Sequence, residues 1–358
     1  MNRKVKIFAV SDIHGHATLL KSALHDAGFL PNDESHLLIV CGDCFDRGTE
    51  NRAVLKFLHD VKNKIIIRGN HEDRLMHVLE ACRLGPVDYH NGTDVTVKEF
   101  LGEDDVTDDG FLYPDPETVD TIREFIGKTY DYFETEDYVF VHGYVPLDTE
   151  LIPPDILEDW RHAPNSVWPY ARFIGWQDVY PLNIGPKGKT VVCGHRSTNY
   201  ATRFDSNRGS DDYSPFVGNC IMAIDACTIV SHKVNVVVLE DSVDISEHHM
   251  SLRDEPFENI KNGIKRVEMR LFDEKRQRIR VGDTISFTRD ADDGEHIKTR
   301  VIGIYRYNDF NELTRDFKAS ELGFPNRSSN YVSGYMSSIY DSEKIEKYGT
   351  IAIRISPM

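Results

Sequence analysis

Leu37-Leu38-Ile39-Val40-Cys41-Gly42-Asp43-Cys44-Phe45-Asp46-Arg47-Gly48 is an apolar run that stops on a glycine, two acids and an arginine. A short run without polar interruptions suits a strand covered on both faces, as in a parallel sheet. The same pattern stands on either side of it. Val5 to Val10 runs into Ser11-Asp12-Ile13-His14-Gly15, and Ile65 to Ile67 into Gly69-Asn70-His71-Glu72. Between these runs, Thr18 to Ala27 has helical spacing, as do Ala53, Leu55, Phe57, Leu58 and Val61, and a further helix is expected from about Arg74. Short apolar runs separated by helices predict βαβ units and a mainly parallel sheet. Two later runs end alike: Tyr138 to Val141 at His142-Gly143, and Thr190 to Cys193 at Gly194-His195. Further strands are expected near Ile221 to Ile224 and Val234 to Leu239.

The rest of the chain is punctuated differently. Residues 84–120 are rich in Gly, Pro and Asp and read as a surface insertion; residues 200–216 read as a long loop. A polar stretch at 246–260 is expected to link a first domain, 1–245, to a second, 261–358, where Val267, Met269 and Leu271 alternate with charged residues. The net charge of −17 is uneven: residues 261–358 hold 18 Lys+Arg and 15 Asp+Glu, a net of +3, which leaves −20 on residues 1–260. An acidic first domain is a poor clamp for polyanions by bulk charge, so any phosphate there needs local cations. Six cysteines suit a reduced protein rather than a disulfide scaffold, and the Cys41–Cys44 spacing reads as coincidence. No apolar run is long enough to span a membrane, and the start runs directly into a strand pattern; a cytoplasmic protein is expected.

The strand ends carry the chemistry. In open α/β sheets, ligands bind beyond the carboxyl ends of the strands. Five such ends deliver Asp12, His14, Asp43, Asn70, His142 and His195. Two metal ions about 3.5–4 Å apart need a bridging carboxylate and a mixed imidazole and oxygen donor set. Asp43 is the expected bridge. Asp12 and His14 complete one ion's ligands; Asn70, His142 and His195 complete the other's. A water or hydroxide between the ions is the expected nucleophile. This donor set suits manganese first, with iron or zinc as alternatives. The flanking glycines fit turns that need positive φ or close backbone approach.

The motifs DIHG, GDCFDRG, GNHE, VHG and CGH, at 12–15 (within SDIHG), 42–48, 69–72, 141–143 and 193–195, resemble the signature of the calcineurin-like metallophosphoesterase superfamily. Asp46 with Arg47 resembles its serine/threonine protein phosphatase branch. The resemblance covers about residues 4–240 and implies an α/β/β/α fold, two sheets forming a sandwich with a dinuclear site. It also implies roles. His71 resembles the general acid that protonates the leaving oxygen, Asp46 the carboxylate that holds that imidazole, and Arg47 a phosphate clamp. A second phosphate-binding arginine is expected: Arg161, in a W-x-R-like segment at Trp160-Arg161, or Arg196 beside His195. The segment YHNGTDVTVKEF resembles the branch's N-G-G-x-x-T region, with Thr93 where the second glycine is expected.

Residues 261–280 carry eight Lys/Arg against three Asp/Glu. They read as a solvated β-hairpin face or as a nucleic-acid patch. KRVEMRLFDEKRQRIRVGDTISF, with MSSIYDSEKIEKYGTIAIRI, resembles the ASCH domain, a PUA-like small β-barrel, over about 264–355. That resemblance implies an RNA or modified-nucleoside partner, with Arg266, Arg270, Arg278 and Arg280 near its surface. Two substrate classes therefore stand: phosphoserine or phosphothreonine in protein, favoured by Asp46 and Arg47, and nucleotide or RNA 5′-end phosphate, favoured by the second domain. Dinucleoside tetraphosphatases of the same superfamily resemble G-D-x-x-A-R-G and lack the acid that Asp46 supplies. A binding protein on a dead scaffold predicts missing ligands, yet every ligand position is filled.

Overall fold

The computed structural model describes residues 2–290 and 292–358. The chain divides into two compact units, one of 2–156 and 169–243, the other of 157–168 and 244–358.

In the first unit, β1 (Asn2–Val10), β2 (His36–Cys41) and β3 (Lys64–Ile67) pair in parallel, joined by α1 (Ala17–Asp26) and α2 (Asn51–Asp60). The second sheet is built on β4 (Phe133–Glu134) and β5 (Tyr138–Phe140). After a two-stranded ribbon, β6 (Leu147–Asp148) with β7 (Asp155–Ile156), come its remaining strands: β8 (Thr190–Cys193), β9 (Phe216–Val217) and β10 (Ile221–Ala223). The strand β11 (Val237–Asp244) returns to the first sheet, giving the order β11-β1-β2-β3 beside β4-β5-β8-β10-β9. Alternation decides what each face meets. Phe8, Val10, Leu38, Val40 and Ile66 join the helix-side core with Leu20, Val54, Leu58, Leu75 and Val78. Ile7, Ala9, Ile39, Cys41 and Ile67 are fully buried on the opposite face, where the Cys41 thiol lies 3.9 Å from the Val192 carbonyl of β8. The unit is thus the expected two-sheet sandwich with helices outside.

Register then fixes the site. Val10 pairs with Val40 and Cys41 with Ile67; Phe140 pairs with Val192 and Cys193 with Ala223. Parallel strands in register stop together, so the residues after them emerge along one edge of each sheet.

Residues 84–120, expected as a surface insertion, are largely helical. After α3 (Asn70–Ala81) come α4 (Pro86–Asn91), α5 (Thr93–Leu101) and α6 (Pro116–Gly127). Val97, Phe100, Val119, Ile122 and Ile126 enter the helix-side core. The glycines and Asp115 that suggested loop are caps: Gly92 is left-handed between α4 and α5, and the Asp115 carboxylate accepts the N–H groups of Glu117 and Thr118 at the start of α6.

The second unit holds β12 (Glu247–Leu252), β13 (Val267–Leu271), β14 (Thr284–Arg289), β15 (Asp292–Tyr307) and β16 (Thr350–Pro357) in one sheet ordered β12-β14-β15-β16-β13. The stretch 246–260, expected as a linker, supplies β12, parallel to β14, and the helix Asp254–Lys261, whose Phe257 and Ile260 are buried. The basic run 261–280 is not a hairpin: β13 pairs with β16 at the chain's end, and β14 pairs with β15. Alternation along β13 also breaks. Glu268 is fully buried, because Lys265 and Arg270 meet its carboxylate at 2.8 and 2.6 Å. Arg270 is therefore turned inward. The segment 157–168 belongs to this unit: Asn165 donates its N–H to the Tyr307 hydroxyl (3.1 Å) and Ser166 its N–H to Asp316 (3.1 Å). No helix among the described residues is long and apolar enough to cross a membrane.

Candidate metal centre

Asp12 and His14 follow β1, Asp43 follows β2, Asn70 opens α3 after β3, His142 follows β5 and His195 follows β8. All except the part-buried His195 are buried. The structure brings the six together. His14 Nε2 lies 3.8 Å from Asp12 Oδ1 and 3.9 Å from Asp43 Oδ2. His142 Nε2 lies 3.3 Å from Asp43 Oδ2 and 2.8 Å from Asn70 Oδ1. The His195 backbone N–H donates to Asp12 Oδ2 at 2.9 Å. Asp43 thus stands between the two groups, as the bridging role requires.

Two of the candidate imidazoles are oriented from behind. His14 Nδ1 faces the Phe45 carbonyl at 3.0 Å, and His142 Nδ1 faces the Cys41 carbonyl at 2.8 Å. Both rings therefore present Nε2 to the cluster. Glycines leave the necessary room. An added Cβ at Gly69 would collide with Asp43 Oδ1 and N, and at Gly194 with Asp12 Oδ2.

The donors fit divalent cations on three counts. Two triads, His14–Asp43–His71 and Asp43–His142–His195, each bring three donor atoms within 4.8 Å of one another. His195 Nε2 is buried without a hydrogen-bond partner among the described residues. Negative charge is also concentrated: burial pushes the Asp12 carboxyl well up, and the charges of Asp225 and Asp43 push the same way. Asp43 is drawn up by burial, yet His142 and His71 hold it well below the usual range. Burial works against the His142 imidazolium, but Asp43 and then Asp12 outweigh it and raise the group to about 10. His195 is pushed down to about 3 by burial and by the neighbouring His142. A cluster in which carboxylates force a buried imidazole to stay charged is one that cations satisfy.

His71 lies in one of the triads, but its Nδ1 is 2.7 Å from Asp46 Oδ2 and its Nε2 is 3.4 Å from Arg47 Nη2. Burial lowers its pKa, while Asp43 and the Asp46 hydrogen bond more than compensate. Arg196 is exposed, and its carbonyl accepts the Trp176 indole N–H at 2.8 Å. Arg161 falls in the 157–168 segment, where its guanidinium stacks over the Trp160 ring at 4.4 Å.

Two buried acids were missed in the sequence. The Glu72 carboxylate accepts the backbone N–H groups of Gly69, Asp43 and Cys44 at 2.7, 3.0 and 2.8 Å, and so binds the loops after β2 and β3 together. Asp225 follows β10; burial raises its carboxyl to about 6, and it accepts the Cys227 N–H at 2.6 Å. The pattern that singled out the candidate donors, an apolar run ending on a polar donor, is present at Ile221 to Asp225 as well.

Paired sheets whose strand ends gather carboxylate and imidazole in this way define a metal-dependent hydrolase architecture. Residues 5–219 match the sequence model of the calcineurin-like phosphoesterases, and the chain belongs to that family. Residues 250–358 match the ASCH domain. Serine/threonine-protein phosphatase 2 of Escherichia coli is 40% identical over 74 residues, covering 21% of this chain and 33% of its own. The symmetrical bis(5′-nucleosyl)-tetraphosphatase of Buchnera aphidicola (Schizaphis graminum) is 35% identical over 80 residues, covering 22% of this chain and 29% of its own. The match thus spans a third or less of these relatives' length. A Pyrococcus furiosus protein of known solution structure is 38% identical, covering 31% of this chain and 97% of its own, with a TM-score of 0.26.

Proposed function

We propose that the first unit is a phosphatase that hydrolyses alkyl phosphomonoesters, of the phosphoserine or phosphothreonine kind. Asp12, His14 and Asp43 would hold one divalent cation, and Asp43, Asn70, His142 and His195 a second, with manganese the first candidate. Two such ions supply Lewis-acid polarisation of the phosphoryl oxygens and a water acidified well below bulk. Asp12 is preferred to His71 in the first group because Asp46 already engages Nδ1 of the His71 ring and the proposed acid role reserves Nε2 for the leaving oxygen.

The observation that carries the reading is the His71 Nδ1–Asp46 Oδ2 contact of 2.7 Å. It leaves Nε2 as the nitrogen turned towards Asp43 and Arg47, where a proton can pass to a leaving oxygen. An alkoxide needs that proton; a phosphate leaving from an anhydride is already a good leaving group. The dyad therefore favours monoesters over dinucleoside polyphosphates. Arg47 would grip the phosphoryl oxygens with its planar fork, and Arg196, next to His195 in the chain, is the second cation we favour.

The ASCH match and the net +3 of residues 261–358 favour a second reading, in which the substrate is a nucleotide or RNA 5′-end phosphate, anhydrides included, and the C-terminal unit binds RNA. The test is a panel with Mn²⁺: phosphopeptide, diadenosine tetraphosphate and 5′-triphosphorylated RNA. Turnover confined to the phosphopeptide supports the first reading, and turnover confined to the nucleotides refutes it. RNA affinity that falls with salt supports the second unit's role; no measurable affinity removes it.

A further inference from the structure

The first turn of α5 reaches across the chain to the His71–Asp46 pair. Thr93, at the start of that helix, is fully buried, and its hydroxyl donates to Asp46 Oδ2 at 2.7 Å. This is the oxygen that also faces His71 Nδ1 at 2.7 Å. Three residues on, and so on the same face of the helix, Thr96 Oγ1 accepts the Asp46 backbone N–H at 3.0 Å. Asn51 Oδ1 accepts the same N–H at 3.1 Å. Gly92 closes against the next residue: an added Cβ would stand 2.7 Å from Arg47 N and 2.8 Å from its Cα. The segment needs such support, because Asp46 and Arg47 sit at φ 72° and 69°, which side-chain-bearing residues adopt only when neighbours hold them there.

The Asp46 carboxylate is hydrogen-bonded on one oxygen alone among the described residues. Its Oδ1 is buried and has no hydrogen-bond partner among the described residues. Among the described residues, His71 and Thr93 alone hydrogen-bond the carboxylate, and both do so at Oδ2. We propose that Thr93 is a positioning residue for the leaving-group step: its hydroxyl fixes the Asp46 carboxylate, and through it the plane of the His71 ring. The inference rests on the reading of His71 as proton donor to the leaving oxygen. The family resemblance puts a glycine at this position, so the hydroxyl is a feature of this sequence. A buried threonine at a helix start also serves stability alone, and the experiment separates the two roles.

The full chain, loaded with Mn²⁺, is assayed as Thr93→Val, which keeps the shape and removes the hydroxyl, as Thr93→Ser, and as His71→Asn. Two substrates are compared: the alkyl monoester the enzyme turns over, and p-nitrophenyl phosphate, whose leaving group departs without a proton. General acid catalysis contributes about 10²–10⁴-fold, so a misaligned acid should cost roughly tenfold in kcat on the alkyl ester. Thr93→Val should lose this on the alkyl ester with KM unchanged, lose less than about twofold on p-nitrophenyl phosphate, and be rescued by Thr93→Ser. Equal loss on both substrates, or none, beside a selective loss in His71→Asn, overturns the role of Thr93 and leaves the reading of His71 intact. A His71→Asn variant without leaving-group selectivity overturns the acid reading and this inference with it. If Thr93→Val does not fold, Thr93→Ala carries the same comparison.

Discussion

Glu72→Gln keeps the size of a side chain that touches no substrate, and should still unsettle the whole centre. In the parent, Oε2 accepts the N–H groups of Gly69 and Asp43, and Oε1 accepts that of Cys44. In glutamine one oxygen becomes an amide that only donates. With the amide turned to Cys44, one buried N–H faces a donor, and the other two lose a charged acceptor. A charged hydrogen bond contributes about 1.5–3 kcal/mol and a neutral one about 0.5–1.5 kcal/mol, so the gross loss is about 4 kcal/mol. Relief of the strain of burying that charge beside Asp43, which pushes the Glu72 pKa up, returns part of it. A net loss of about 3 kcal/mol lowers the melting point of a unit of this size by roughly 6–12 °C. Scanning calorimetry of the full chain without added metal reads it, with the C-terminal unit's transition as internal reference. Asp43 also loses its backbone anchor, so Mn²⁺ affinity should drop about 10–100-fold. A transition within about 2 °C of the parent, with Mn²⁺ affinity within about threefold, would refute the anchoring role.

His195→Asn should bind about one ion in place of two by metal analysis and lose at least about 10²-fold in turnover; full occupancy would remove His195 from the ligand set. Arg196→Ala should raise KM for phosphomonoesters about tenfold or more, while Arg161→Ala leaves KM unchanged; the reverse result restores Arg161 as the second clamp. Glu268 offers a pH test in the second unit. Burial raises its pKa, but Arg270 and Lys265 outweigh burial and hold the group below 4.5. A depressed folded value means stability present above pH 4.5 and lost as pH falls through the folded value. Glu268→Gln should therefore cost about 3–5 kcal/mol near neutrality and flatten the acid limb of unfolding in that unit; an unchanged acid midpoint would disprove it.

The candidate donors that the structure brings together were legible because each is local. A run such as Leu37 to Cys41 followed by Gly42-Asp43 carries both the strand and its end within a few residues. What the sequence hid depends on partners far along the chain. Residues 84–120 look like loop until α5 is seen to hold Asp46 across 47 and 50 positions. Glu268 reads as solvent-facing by alternation, and only its ion partners explain its burial. Residues 261–280 read as a hairpin face, but β13 within them pairs with the last strand of the chain. Asp225 was within reach, since it follows an apolar run as the candidate donors do.

Among the described residues, non-glycine positions with positive φ number eleven, and six of them are Asp12, His14, Asp43, Asp46, Arg47 and His195. That concentration explains the division of labour at the strand ends. A strand leaves its side chains pointing alternately to the two faces, where they would be buried in the core. A left-handed residue straight after the strand turns the chain sharply and sends a carboxylate or imidazole along the sheet edge instead. Glycine would adopt that conformation freely but offers no side-chain donor, so four of the candidate donors, Asp12, His14, Asp43 and His195, take the strained turns themselves, at about 1–3 kcal/mol each. Gly69 and Gly194 sit beside them because a Cβ there would strike Asp43 and Asp12. The strain is held by bonds the protein makes to itself: Glu72 to the Asp43 loop, Thr228 to the Asp12 carbonyl at 2.7 Å, and the His195 N–H to Asp12 Oδ2 at 2.9 Å. The donor geometry is therefore built by the fold, and cation binding at this centre should resemble filling a shaped site more than organising a loose one.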